Sequence, residues 1–119
     1  MGNYIMLAVS ITMAAAGQIL MKQGMRMVGV FPVREIFSRM FSIIFNPFVF
    51  LGLSMFALSS IVWLVVLSRM ELSYVYPMVS IAYIIVAIVA YFLLGEKVVF
   101  IRWLGILTIC LGVFLISRS

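Results

Sequence analysis

Polar side chains are scarce in this chain, and those lying inside long apolar runs are the candidates for chemistry. Ala14, Gln18 and Lys22 follow one another at four-residue intervals, one face of a helix, with Gly17 beside them. A glutamine amide donates and accepts at once, which suits a sugar hydroxyl, an amide or a phosphate ester, and equally suits gluing two membrane helices together. Lys22 can hold a phosphate as a point charge, or anchor a helix end by snorkelling. The densest polar set is Tyr74, Tyr76, Pro77, Ser80 and Tyr83, and Ala87 and Ala90 continue the face of Tyr76, Ser80 and Tyr83. Pro77 removes a backbone donor and frees a carbonyl near residue 73, which predicts a kink beside a cavity; a proline in a first turn can also simply start a helix. Ser60 and Trp63 share another face, where the indole can stack on a ligand, pack in a core or sit in an aromatic belt.

All of this is binding chemistry. The three acids, Glu35, Glu71 and Glu96, fall between apolar runs or at their ends, and histidine is absent, so neither a mid-membrane carboxylate nor a proton relay is available. Metal clusters, nucleophile–base pairs and phosphate-cradling glycine motifs are missing as well. The sequence therefore predicts no enzyme, no cofactor and no metal.

The elements that must position these residues follow from composition. Of 119 residues, 67% are hydrophobic and 9% charged, and the mean hydropathy is +1.36, which excludes an ordinary water-soluble domain. Uncharged stretches run over 1–21, 40–68, 72–95 and 103–117; the first three exceed the roughly 18 residues that mark a membrane-spanning helix. The fourth reaches across because Arg102 and Arg118 snorkel at its ends. The expectation is an all-α membrane protein, one integral domain over 1–119, with four helices spanning approximately 3–22, 47–68, 73–94 and 100–117. The first run lacks the early basic residues and cleavage site of a signal peptide and is expected to be retained.

Of the eight cations, Lys22, Arg26, Arg34, Arg39, Lys97 and Arg102 fall on the side of the first and third connections, against Arg69 and Arg118 on the other. The positive-inside rule then places loops 1 and 3 in the cytoplasm and both termini outside. Juxtamembrane cations facing anionic lipid account for the net charge of +5, so no nucleic-acid partner is called for. Between Pro32 and Pro47 the residues Ile36, Phe37, Met40, Phe41 and Ile44 recur at helical spacing among polar ones, which predicts an interfacial amphipathic helix or an N-terminal extension of the second span. In the fourth span Gly105, Thr108 and Gly112 form a small-residue ridge that predicts an oligomer interface, and Cys110 serves as apolar filler.

Several short motifs carry a resemblance. Ala16-Gly17-Gln18 followed by Met21-Lys22, Gly95-Glu96-Lys97 after the third span, and Leu104-Gly105 through Leu111-Gly112-Val113 in the fourth resemble the small multidrug resistance proteins, an EamA-like branch of the drug/metabolite transporter superfamily. Those exporters carry a glutamate eight residues before the lysine; here that position is Ala14, so the resemblance does not extend to drug/proton exchange. The sequence is more similar to the paired small subunits that flip 4-amino-4-deoxy-L-arabinose-phosphoundecaprenol, through Ala16 to Gln18 with Lys22-Gln23, Val75 to Ser80, and Glu96 to Trp103. What the resemblance implies is a lipid-linked sugar flippase subunit of the bacterial inner membrane. Gln18, Tyr76, Ser80 and Tyr83 would serve the sugar, Lys22 or Lys97 the phosphate, and lipid the polyprenyl tail.

The resemblance also implies two subunits forming the pathway as an inverted pair. The strong charge bias opposes inversion of identical copies, so either a heterodimer with an oppositely biased four-helix partner or an association of parallel copies is expected. Two other functions stay open at this point: a small multidrug or cation exporter whose acid comes from a partner, and a non-transporting accessory subunit. The charge bias makes one direct prediction. Alkaline phosphatase fused after Ser119 is expected to be active and fused after Lys97 inactive; activity from both fusions would mean dual insertion.

Overall fold

The computed structural model describes residues 2–119. Its backbone is helical with no strands among the described residues: α1 Gly2–Val28, α2 Met40–Ile44, α3 Pro47–Arg69, α4 Leu72–Met78, α5 Ser80–Phe92 and α6 Phe100–Ser117. Inside hydrocarbon each backbone must satisfy its own hydrogen bonds, and four stretches are long and apolar enough to cross a membrane: α1, α3, the α4–α5 pair and α6. At a rise of about 1.5 Å per residue α1 is about 40 Å long, so it outruns a hydrocarbon core of about 30 Å. Its last two turns carry Lys22 and Arg26.

The tightest contact joins α1 to α3. A methyl group on Gly17 would lie 2.7 Å from the Gly52 carbonyl oxygen, and one on Gly52 would lie 2.6 Å from that of Gly17. Gly24 faces Val49 and Asn46 with equally little room. Two turns from the Gly17–Gly52 contact, Ser10 Oγ donates to the Ser59 carbonyl at 3.0 Å. Ser10, Gly17 and Gly24 recur every seven residues on α1, as do Gly52 and Ser59 on α3, so two small-residue seams meet. Lipid tails are as apolar as leucine, and close backbone approach of this kind is what holds membrane helices together.

On the neighbouring stripe of α1, Leu7, Ile11 and Ala15 are buried with Val66 of α3, Val75 and Met78 of α4, and Ala82 of α5. This core lies toward the end where α1 begins and α3 turns into α4, and there Tyr4 and Tyr74 meet edge to face with their hydroxyls 3.3 Å apart. At the opposite end the bundle is held by ionic contacts. Arg26 Nη1 donates to the Leu94 carbonyl at 3.1 Å, and Lys22 Nζ lies 3.7 Å from Glu96 Oε1.

The third span is broken at Val79, whose N–H donates to the Tyr76 carbonyl three residues back, at 3.1 Å. The interruption falls two residues after Pro77, whereas the missing donor at 77 predicts it one turn before, near residue 73, where α4 is continuous. The α6 helix has no buried residue; it leans on α4 and α5, with Trp103 edge-on to Tyr91 at 5.5 Å between centroids.

The first loop forms neither one amphipathic helix nor a continuous extension of the second span. A 3-10 turn covers Val33–Glu35, α2 spans only Met40–Ile44, and Asn46 is extended at φ −64°, ψ 125°. The residue before a proline is driven out of helical geometry, and Asn46 Oδ1 then caps α3 by accepting from the Phe48 and Val49 N–H groups. Phe37, Phe41 and Phe45 stay exposed along the divided segment, and Arg39 sits 5.5 Å over the Phe31 ring.

The seam gives a stability prediction. Gly52→Ala forces a methyl into the Gly17 backbone and is expected to cost about 1–3 kcal/mol, the usual range for overpacking. Gly105→Ala, where a methyl meets nothing within 4 Å, is expected to leave the chain's own stability unchanged. Thermal unfolding of both variants in detergent checks this.

Candidate functional site

Beyond the core, α5 faces the α1–α3 pair across open space, while the α1–α3 seam itself stays closed as far as Gly24. The result is a cleft of about 550 Å³, within the range of small-molecule sites. Ala14 and Gln18 of α1 form its floor, Phe56 of α3 one wall, and Val79 at the α4–α5 break with Ala82, Tyr83, Val86, Ala87 and Ala90 of α5 the other. The α5 residues recur at helical spacing on one stripe, and most of them are small or β-branched apolar residues. Glu96 and Val98 of the α5–α6 connection and Arg102 in the first turn of α6 line the far end. Leu7, Ile11, Ala15, Gln18 and Lys22 follow a single stripe of α1, so the face that seals the core at one end floors the cleft at the other.

The polar groups are few and ordered along the cleft. Gln18 and Tyr83 stand at mid-depth, both exposed to it. At the mouth are Glu96, with Lys22 as its ion-pair partner, and Arg102, whose Nη1 donates to the Lys97 carbonyl at 3.3 Å. The connection is shaped by Gly95 at φ +71°, a conformation open to glycine, and by the Glu96 N–H donating to the Ala90 carbonyl at 3.1 Å.

Of the residues singled out in the sequence, Gln18 and Tyr83 line the cleft and Lys22 reaches its mouth. The others lie elsewhere. Trp63 packs on the core cluster, and Ser60 donates to the Phe56 carbonyl of its own helix at 3.0 Å. Tyr76 is 66% exposed and, like Ser80 and Pro77, does not line the cleft. Tyr76 precedes Val79, the first residue of this span to line the cleft, and so lies past its end. Lys97 contributes its backbone carbonyl and not its ammonium to the mouth. Gly105 and Gly112 have no neighbour within 4 Å of an added methyl, and the Thr108 hydroxyl donates to the Leu104 carbonyl of its own helix. The close-approach glycines of this chain are Gly17, Gly24 and Gly52. Their seven-residue spacing with Ser10 and Ser59 was the available signal. Arg102, counted among the topology charges, belongs to the cleft; a cation placed inside the first turn of a span was its trace.

Relatives among curated proteins match essentially the whole chain. It is 31% identical over 117 residues to the probable 4-amino-4-deoxy-L-arabinose-phosphoundecaprenol flippase subunit ArnE of Pseudomonas syringae pv. syringae, covering 96% of this chain and 99% of that one. The corresponding ArnE subunit of Pectobacterium atrosepticum is 27% identical over 115 residues, covering 97% of each chain. The probable flippase subunit ArnF of Serratia proteamaculans is 30% identical over 123 positions, covering 100% of this chain and 95% of its own. No family model matches the chain, and no solved structure does.

The cleft is accessible by geometry, and this can be measured. In a Cys110→Ala background, Ala87→Cys is expected to react with a small polar methanethiosulfonate at least about tenfold faster than Val66→Cys, which lies fully within the core. Equal rates would show that the cleft is filled.

Proposed function

The chain belongs to the family of small 4-amino-4-deoxy-L-arabinose-phosphoundecaprenol flippase subunits, and from that premise we propose that its cleft receives the headgroup of a polyprenyl-phosphate-linked sugar. It is a transporter subunit of the flippase type, a multi-pass protein of the bacterial inner membrane. The observation that carries the substrate reading is the order of groups along the cleft. Neutral donors and acceptors at mid-depth, Gln18 and Tyr83, suit a sugar, and cations at the mouth, Lys22 foremost, suit a phosphate. The tail stays in lipid. No bond is made or broken, so the chain works as a carrier and not as an enzyme.

With loops 1 and 3 in the cytoplasm, the cleft opens inward and the core of Leu7, Ile11, Val66 and Val75 closes it toward the outside. Tyr76 lies beyond the closed end at Val79, with Ser80 next to that end, where an outward-open form would meet the departing headgroup. A second four-helix subunit completes the pathway, and the Gly105, Thr108 and Gly112 face of α6 is offered to it. The strong charge bias favours an oppositely biased partner over an inverted copy. A cation exporter gains no support from the site: Glu96, the carboxylate lining the cleft among the described residues, is already paired with Lys22.

Native mass spectrometry in mild detergent, with undecaprenyl phosphate and a quaternary ammonium drug in competition, tests the reading. The lipid phosphate is expected to be retained over the drug, and Lys22→Ala or Gln18→Ala to weaken retention about fivefold, the equivalent of roughly 1 kcal/mol for a half-exposed contact. Preference for the drug would sink the lipid reading. A chain that ignores both would point to an accessory role.

A further inference from the structure

Glu96 is held in place more firmly than its ion pair requires. Arg26 grips the Leu94 carbonyl, Gly95 turns the chain at φ +71°, and the Glu96 N–H is tied to Ala90, so three backbone constraints deliver this carboxylate to the mouth of the cleft. The pair it makes there is loose. Lys22 Nζ and Glu96 Oε1 are 3.7 Å apart, beyond the roughly 2.7–2.9 Å of a charge-assisted hydrogen bond, and the two side chains are 55% and 44% exposed. Beside them Arg102 lines the same mouth, and a guanidinium's five donors leave it several after the one bond to Lys97.

Without Glu96 the mouth would carry two cations with no counter-ion. With it the three groups sum to a single positive charge, and a weakly held carboxylate occupies the place a phosphate would take. We propose that Glu96 is a displaceable internal anion that fills a phosphate position beside Lys22, in the mouth that Arg102 also lines, in the empty state, and that an arriving anionic lipid headgroup exchanges with it. Arg102 is then the second phosphate-binding cation, in the role that the family resemblance offered to Lys22 or Lys97. The arrangement suits a carrier, which must release what it binds: a built-in competitor lowers affinity for the phosphate and re-forms the pair as the phosphate departs. This inference rests on the lipid-phosphate reading above and adds to it the group that competes with the ligand.

The test uses the full chain in mild detergent, with any subunit that travels with it, offered undecaprenyl phosphate and, separately, undecaprenol, which has the same tail and no phosphate. Glu96→Gln is expected to bind undecaprenyl phosphate about two- to fivefold more tightly, as expected from breaking an exposed pair, with the gain shrinking as salt is raised. Undecaprenol binding should not change. Glu96→Asp should stay near wild type, Arg102→Gln should weaken phosphate binding, and the gain from Glu96→Gln should vanish when Lys22 is already alanine, the coupling of groups acting through one another. If wild type binds the phosphate and Glu96→Gln binds it no better, or gains equally for undecaprenol, the exchange is refuted while the substrate reading stands. If wild type binds no polyprenyl phosphate at all, both fall together.

Discussion

Backbone-to-backbone contact at Gly17 and Gly52 is the constraint on which the rest of the molecule depends. Apolar surface gains nothing by leaving lipid for another apolar surface, so the helices need short van der Waals contacts and buried hydrogen bonds to stay together. The α1–α3 seam supplies both, with its glycines in mutual contact and Ser10 bonded to Ser59. Once this face of α1 is fixed on α3, the adjacent stripe is turned toward α4 and α5.

That stripe changes character along its length. Leu7, Ile11 and Ala15 meet Val66, Val75, Met78 and Ala82 with little space left, whereas Gln18 and Lys22, one and two turns further, have no apolar partners to match them. The bundle is consequently solid at one end and open at the other. The break at Val79 sits at the changeover, between Met78 in the core and the α5 stripe that walls the cleft. Arg26, Lys22 and the Leu94–Glu96 turn then hold the open end at its rim, where water and lipid headgroups can reach the charges.

The helix α6 stands apart from this economy of contacts. It buries no residue and is fastened mainly near its ends, through Trp103 on Tyr91 and through Val113 and Ile116 against the core. A membrane helix so lightly held leaves its small-residue face without an intrachain neighbour among the described residues, consistent with a chain whose relatives are named as subunits.

The sequence by itself determined the four helical spans, the absence of a mid-membrane acid and the end of the bundle at which each charge lies, because these depend on hydropathy summed over some twenty residues and on charge spacing. The proline at 77 announced an interruption of the third span but not its place, which is Val79 and not the stretch near residue 73. Short motifs in α1, the third connection and α6 also carried the family. Tertiary structure alone decided which polar residues share a space. Trp63 and Ser60 have types suited to binding yet face the core and their own helix, and Tyr76 stands outside the cleft that Tyr83 lines. Arg102 and Glu96 join the site by virtue of a turn around Gly95. Likewise, the small residues at 17, 24 and 52 became the seam, and those at 105 and 112 did not, because a glycine's value lies in what stands opposite it. Spacing along one chain carries no record of the opposing backbone.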